Sequence, residues 1–276
     1  MHRSKLILGI LNRTGLAETE QISLFHRIGF DGFFTNWCAD EDQAAIATCA
    51  KETEMIWQSI HAPFTKMRHM WYESEVTASA RDELIACLRD CARFEVPIMV
   101  AHTFIGFKDH TPTACGIENY GKVVAEAEKL GVKIAFENTE GEEYLTALMD
   151  AFAKSPAVGF CWDTGHEMCY NRTRDMLALY GDRLIATHIN DNLGIRDFGG
   201  EITYLDDHHM LPFDGVGNWN DIAARLKNHK FTDMLTFELK YDTAPTGIPY
   251  YGHMSFERYL TEAYVRACRV ATLCNF

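Results

Sequence analysis

Residues 158–170 read V-G-F-C-W-D-T-G-H-E-M-C-Y, an apolar run that stops at Asp163 and is followed at once by His166. A short apolar segment, Gly159 to Asp163, suits a strand buried on both faces, as in a parallel sheet covered by helices. Its polar end, flanked by Cys161 and Cys169, admits three readings: a Cys/His zinc knot, a helix cap, or one corner of an active site.

Outward from this stretch the same unit recurs. Strands are predicted at Lys5 to Asn12, Gly32 to Trp37, Met55 to His61, Pro97 to Thr103, Lys133 to Asn138, Gly159 to Asp163, Leu184 to Asn190 and Met234 to Leu239. Helical periodicity fills the intervals near 17–28, 41–53, 75–93, 116–130, 142–153, 172–180, 219–228 and 255–272, with Gly29, Gly131 and Gly181 as left-handed C-caps. Eight strand–helix units in this length predict an α/β fold, a closed (β/α)8 TIM barrel forming a single domain over residues 1–276. The competing open, doubly wound sheet lacks support in the first strand–helix turn, L-N-R-T-G at 11–15, which carries no dinucleotide glycine fingerprint. The loops after the third, fourth, seventh and eighth strands are long, which suggests a substrate mouth on that face.

Composition narrows the function classes. With 276 residues and 47% hydrophobic content the chain buries a large core. The longest apolar runs, such as Val96 to Ala101, fall short of a membrane span, and the start MHRSKLILGI has too short an apolar stretch for a signal peptide, so the expected location is cytoplasmic. Nine cysteines without a C-x-x-C pair read as inert thiols. A formal charge of −13 repels phosphate polymers and gives no support for nucleic-acid binding, unless metal ions supply local positive charge.

The ends of the predicted strands carry Asn12, Trp37, His61, His102, Glu137, Asp163, His188 and Glu238. In a barrel, strand carboxyl ends converge on one funnel. A single histidine or glutamate there is ordinarily structural or solvated. Several acids and histidines together need a neutraliser, because buried like charges repel, and a divalent metal is the economical one. The candidate ligands Glu137, Asp163, His188 and Glu238 form a mostly oxygen donor set that suits Mn²⁺, Mg²⁺ or Co²⁺ as well as Zn²⁺. Cys161 shares a strand face with Asp163 but lies deeper, where core packing is the expected role. In the seventh loop, Asp207 and His209 are spaced to share a possible second site.

These residues resemble the xylose isomerase-like TIM-barrel superfamily, which holds sugar-phosphate isomerases and epimerases together with endonuclease IV-type enzymes. The resemblance is carried by H-A-P-F at 61–64, F-E-N-T-E-G at 136–141, D-T-G-H at 163–166, T-H-I-N-D-N at 187–192, D-H-H-M-L-P-F-D-G at 207–215 and F-E-L at 237–239. It implies one catalytic divalent metal on Glu137, Asp163, His188 and Glu238, with no organic cofactor, and places His166 beside it as a substrate contact or further ligand. In the nuclease branch, positions matching His61, His102, Asp207 and His209 hold additional metals. Departures from that branch are the acidic segment at Glu140, Glu142 and Glu143 and the bulky turn M-L-P-F-D-G at 210–215.

The implied activity is a metal-dependent sugar isomerase or epimerase working by α-proton abstraction through an enediolate. Glu137 and Glu238 would act as base and acid, with His166 stabilising developing charge. His61, His102, Trp37, Asn190 and Lys240 are candidate substrate contacts. Aromatic walls are expected from Phe64, Trp71, Phe104, Phe107, Phe213 and Tyr241, and loop cations from Lys108, Arg196 and Lys240. No phosphate loop is visible, so the expected partner is an unphosphorylated sugar or polyol. A lyase on the same scaffold, dehydrating a keto-polyol or cleaving a 3-oxo-glycoside, shares the first step. An endonuclease IV-type zinc phosphodiesterase and a non-catalytic sugar-binding subunit complete the alternatives. Pairing into a homo-oligomer is open, with Tyr264 to Phe276 serving either the barrel or an interface.

Overall fold

All eight expected strands form, and most end one to three residues earlier than the apolar runs suggested: β1 (Lys5–Gly9), β2 (Gly32–Asn36), β3 (Ile56–His61), β4 (Ile98–His102), β5 (Lys133–Glu137), β6 (Val158–Asp163), β7 (Leu184–His188) and β8 (Met234–Phe237). This computed structural model describes residues 4–12, 14–39, 43–108, 111–171, 174–195, 201–241 and 250–275. The strands are parallel, in the order β7-β6-β5-β4-β3-β2-β1-β8. The two ends of that sheet meet at a parallel bridge between Ile189 and Phe237, where Ile189 N–H donates to Thr236 O at 2.8 Å. The result is a nearly closed (β/α)8 TIM barrel.

Helices α1 (Glu18–Ile28), α2 (Ala44–Thr53), α3 (Thr77–Arg93), α4 (Ala114–Leu130), α5 (Glu142–Ala151), α6 (Thr164–Cys169), α7 (Met176–Tyr180), α8 (Trp219–Asn228) and α9 (Phe256–Asn275) cover the strands. Helix α4 starts earlier than its periodicity suggested because Thr113 caps it, its Oγ1 accepting from Gly116 N–H at 3.1 Å. The first residues expected in α2 and in the helix near 172–180 lie outside the described residues. Gly29 and Gly131 adopt the left-handed C-cap, at φ 117° and 71°. Gly181 does not: it stays right-handed at φ −60° and enters a 3₁₀ turn, and it is small for another reason, since a Cβ there would lie 2.3 Å from the His229 ring.

Large side chains such as Trp71, Trp162 and Tyr120 pack between barrel and helices, whereas the interior carries a layer of small ones, Val100, Ala135, Cys161 and Ala186. Cys161 therefore fills the barrel. Burial pushes its thiol well upward, and its sulfur also lies close enough to Glu137 and His188 to group with them. The C-terminal stretch serves the barrel: Tyr259, Leu260, Ala263, Ala267 and Val270 of α9 are buried and Tyr264 packs edge-on against Phe30, while Phe276 lies outside the described residues. Among the described residues no helix is long and apolar enough to cross a membrane.

Candidate metal centre

Asp163 closes β6 and caps α6 in one stroke. Its Oδ1 accepts the backbone N–H of His166 at 2.6 Å and its Oδ2 the side-chain amide of Asn190 at 2.9 Å. The cap and active-site readings of residues 158–170 thus describe the same carboxylate. Asn190 comes this close only because residue 165 is glycine, where a Cβ would lie 1.9 Å from the Asn190 Oδ1.

From β7, His188 presents Nδ1 at 3.1 Å from Glu137 Oε1 and 3.2 Å from Glu238 Oε2, and its ring stacks on Phe34 with centroids 4.9 Å apart. One ligand atom from each of Glu137, Asp163, His188 and Glu238 lies within 4.8 Å of the others. All four are side chains from strand ends or the residue just beyond, which is where the barrel brings distant sequence together.

Two further groups adjoin this one. Glu137 Oε2 faces His61 Nε2 at 3.4 Å and His102 Nε2 at 3.5 Å. Across the mouth, Asp207 Oδ2 lies 2.9 Å from His209 Nε2, and Asp207 Oδ1 lies 3.6 Å from His166 Nε2. Backbone carbonyls orient these rings: the Nδ1 atoms of His61, His166 and His209 lie 2.8, 3.0 and 3.2 Å from the oxygens of Ala62, Asn138 and Glu238. With Nδ1–H donating there, each Nε2 faces a carboxylate oxygen, and on loss of its proton that nitrogen is oriented to ligate a metal. His209 holds its position with a left-handed backbone, φ 47°, at a cost of about 1–3 kcal/mol.

The electrostatics follow from crowding buried acids and imidazoles. Burial would raise Glu137 and Glu238, but His188 and neighbouring histidines override it and hold both carboxyls below the usual range. Asp207 is likewise held low against burial by His209 and Lys240. Asp163 goes the other way, pushed up to about 6, chiefly by burial. His166 and His188 are held well above the ordinary imidazole value despite burial, by Asp163 and Asp207 for the first and by Glu137 and Glu238 for the second. In effect imidazolium charge balances the carboxylates, a task that a divalent cation performs better at fixed distance.

The donor set fits such an ion. Glu137 Oε2 is buried within the cluster and makes no hydrogen bond among the described residues, and His188 turns Nδ1 toward both Glu137 and Glu238. Buried polar atoms without partners are rare in folded proteins, and three carboxylates with one imidazole are a hard, oxygen-rich set.

A cavity of about 600 Å³ opens onto the cluster, lined by His61, His102, His166, Asp207, His209, Glu238 and Lys240 among others. Two expected contacts are elsewhere. Trp37 is outside this lining, its indole N–H donating to Asp90 at 2.7 Å, and Asn190 is fully buried behind Asp163. Lys240 reaches the mouth but is paired with Asp207 at 3.1 Å. Of the expected aromatic walls, Phe64, Phe107 and Tyr241 line the cavity. Trp71 and Phe104 are core residues, and Phe213 packs on Trp219 and beneath Arg269. Arg196 lies outside the described residues.

Three organising residues escaped the sequence reading. Asp191 accepts four N–H groups, from Asn192 and Gly217 on Oδ1 and from Phe213 and Trp219 Nε1 on Oδ2, at 2.9–3.0 Å. It thereby anchors the loop that carries Asp207 and His209. Glu167 accepts from Trp162 Nε1, Met176 N–H and both terminal nitrogens of Arg225, fixing α6 behind His166. Tyr170 stacks on His166 with centroids 5.0 Å apart. The signal for Asp191 was its place among the three consecutive polar residues that follow Ile189 in T-H-I-N-D-N; nothing local marked the other two.

Comparison with known proteins places this geometry in context. Residues 22–256 match the family model described as xylose isomerase-like TIM barrel. An uncharacterized protein, y4fM, of Sinorhizobium fredii is 34% identical over 130 residues, 45% of this chain and 39% of the relative, so the match spans about two fifths of that relative's length. A crystal structure of D-psicose 3-epimerase in the presence of D-fructose superposes with a TM-score of 0.76 at 15% identity, covering 99% of this chain and 100% of that one. The IolI protein with a bound zinc atom superposes with a TM-score of 0.75 at 18% identity, covering 97% and 98%. At such identities these likenesses establish the fold.

Proposed function

The chain belongs to the xylose isomerase-like TIM barrel family, and from that premise we propose that it is a divalent-metal-dependent sugar isomerase or epimerase. The observation that carries this reading is the convergence of Glu137, Asp163, His188 and Glu238, the last of which lines a cavity of sugar-accommodating size. Those four residues would hold the ion. When bound, it supplies positive charge that offsets the negative charge developing on a substrate carbonyl as the adjacent C–H is deprotonated.

The chain's own groups do the rest. Glu238 reaches the cavity surface with a quarter of its side chain exposed, whereas Glu137 is fully buried beneath His61 and His102. The two carboxylates would exchange roles as base and acid on opposite faces of the substrate, giving an enediolate between the two transfers. Such proton transfer contributes about 10²–10⁴-fold in rate. His166, stacked on Tyr170 and donating from Nδ1 to the Asn138 carbonyl, would present Nε2 to a substrate oxygen. Phe64 and Phe107 at the rim exclude water.

A second reading has its own support: three adjoining ligand groups, His61/His102/Glu137, Glu137/Asp163/His188/Glu238 and His166/Asp207/His209, match the number of metals used by endonuclease IV-type phosphodiesterases. The formal charge of −13 and the carboxylates Glu140, Glu142 and Glu143 beside the mouth oppose a phosphate backbone. A lyase would share the first proton abstraction.

Metal counting and solvent exchange separate these. The expected result is activity lost to a chelator and restored by Mn²⁺ or Co²⁺, with deuterium from D₂O entering a ketose at the carbon next to the carbonyl. Three tightly held zincs with cleavage of abasic DNA, and no exchange into any ketose, would replace this reading by the phosphodiesterase. Exchange accompanied by loss of a β-substituent would replace it by the lyase.

A further inference from the structure

A second cavity of about 630 Å³ adjoins the inner one and shares four of its lining residues, Phe107, Glu140, Tyr170 and Tyr204. Tyr170 is the partition. One face stacks on His166, and the Phe107 ring meets it edge-on at 5.7 Å. A molecule whose reacting part sits against His166 and Glu238 therefore continues past Tyr170 into a space as large as the first.

The chemistry of that outer space is specific. Tyr204 is two-thirds exposed and Phe107 about one-third, an aromatic pair at the junction that suits the C–H face of a ring. Four carboxylates line it, on Glu140, Glu142, Glu143 and Glu201, against two cations, Lys108 and Arg174, and Arg174 is ion-paired with Glu142. Glu142 Oε2 is buried there with no hydrogen bond among the described residues, and Glu140 Oε1 is fixed by the N–H of Gly106 at 2.8 Å. Such a lining offers acceptors to hydroxyl donors and repels phosphate and carboxylate groups.

We propose that the substrate is a neutral two-ring saccharide or glycoside, whose reacting sugar occupies the inner cavity and whose second ring occupies the outer one beyond Tyr170. The inference rests on the sugar isomerase reading for the inner cavity alone; the outer subsite stands on its own lining.

The test uses Mn²⁺-loaded protein with lactulose and isomaltulose, ketose-ended disaccharides, beside D-fructose and D-fructose 6-phosphate. Calorimetric binding and deuterium incorporation from D₂O are read separately. Ile202, which lines only the outer cavity, is replaced as Ile202→Trp to fill it. The expected result is at least tenfold tighter binding of a disaccharide than of D-fructose and weakest binding of the phosphate ester. In Ile202→Trp the disaccharide advantage is lost, with D-fructose binding unchanged within twofold and the melting temperature retained. Equal affinity for disaccharides and D-fructose, or an advantage that survives Ile202→Trp, overturns the proposal, and exchange into D-fructose in that case leaves the isomerase reading standing. Disaccharide preference lost in Ile202→Trp but without deuterium exchange into any ketose supports the outer subsite and removes the isomerase reading.

Discussion

Replacing Asp191 with asparagine tests how the site is assembled. The Asp191 carboxylate is fully buried and accepts four N–H groups, three from the 213–219 segment and one from Asn192. Asparagine keeps one acceptor oxygen and turns an NH₂ group toward two of those donors. Two hydrogen bonds to a charged group are lost at about 1.5–3 kcal/mol each, or roughly 3–6 kcal/mol together. At about 2 °C per kcal/mol for a chain of this size, the melting temperature should fall by roughly 6–12 °C. Relaxation is restricted, because a Cβ on Gly215 would already lie 2.4 Å from Asp191 Oδ1, so the loop has little room to repack. Asp191 also directly follows Asn190, whose side-chain amide holds the metal-facing Asp163, so metal affinity should fall about 10–100-fold, as for other groups that orient ligands from behind. Differential scanning calorimetry and Mn²⁺ titration of Asp191→Asn measure both. A melting temperature within 3 °C of the parent, with unchanged metal affinity, would refute the idea that this carboxylate holds the loop.

Glu137→Gln and Glu238→Gln should each lower kcat by about 10² or more while circular dichroism stays native, and ketose turnover retained in both single variants would sink the acid–base assignment. Gly165→Ala should displace Asn190, whose Oδ1 would lie 1.9 Å from the new methyl, loosening Asp163 and weakening Mn²⁺ binding; calorimetry showing parental affinity would contradict this. With the metal chelated, stability should decline as pH rises. His166, His188 and His209 have folded values above 6.5, so their contribution is full below pH 6.5 and is lost as pH climbs through those values. Asp163 acts in the same sense at lower pH, its contribution full below 3.8 and lost by about 6. Metal binding favours the deprotonated ligands, so Mn²⁺ should flatten or reverse the slope; melting temperatures at pH 6 and pH 9, with and without Mn²⁺, would show a steeper decline in the loaded protein if this balance of charge is wrong.

What the sequence by itself determined is the repeating scaffold and the residues it exposes at one end. Near-continuous apolar runs such as Val158–Trp162 can only be buried on both faces, and eight of them alternating with helical periods leave few architectures. Because barrel strands are parallel, their last residues share an end, so Glu137, Asp163, His188 and Glu238 were legible as a set before any distance was known. Tertiary structure alone decided which polar neighbours face the cavity and which stand behind it. Asn190 follows His188 by two residues and by alternation shares its side, yet the chain leaves the strand there and its amide turns onto Asp163. Trp37 follows β2 yet binds Asp90 on α3. Glu167 and, apart from the adjacent Asn192, Asp191 draw their roles from partners 5 to 58 residues away, through donors that any loop could supply, and Tyr170 takes its role from ring contacts with His166 and Phe107; no local pattern encodes such pairings. The cysteines that flank Asp163 are the clearest case: spacing alone left a zinc knot open, and only the fold packs Cys161 into the small-residue layer of the barrel and buries Cys169 at the end of α6.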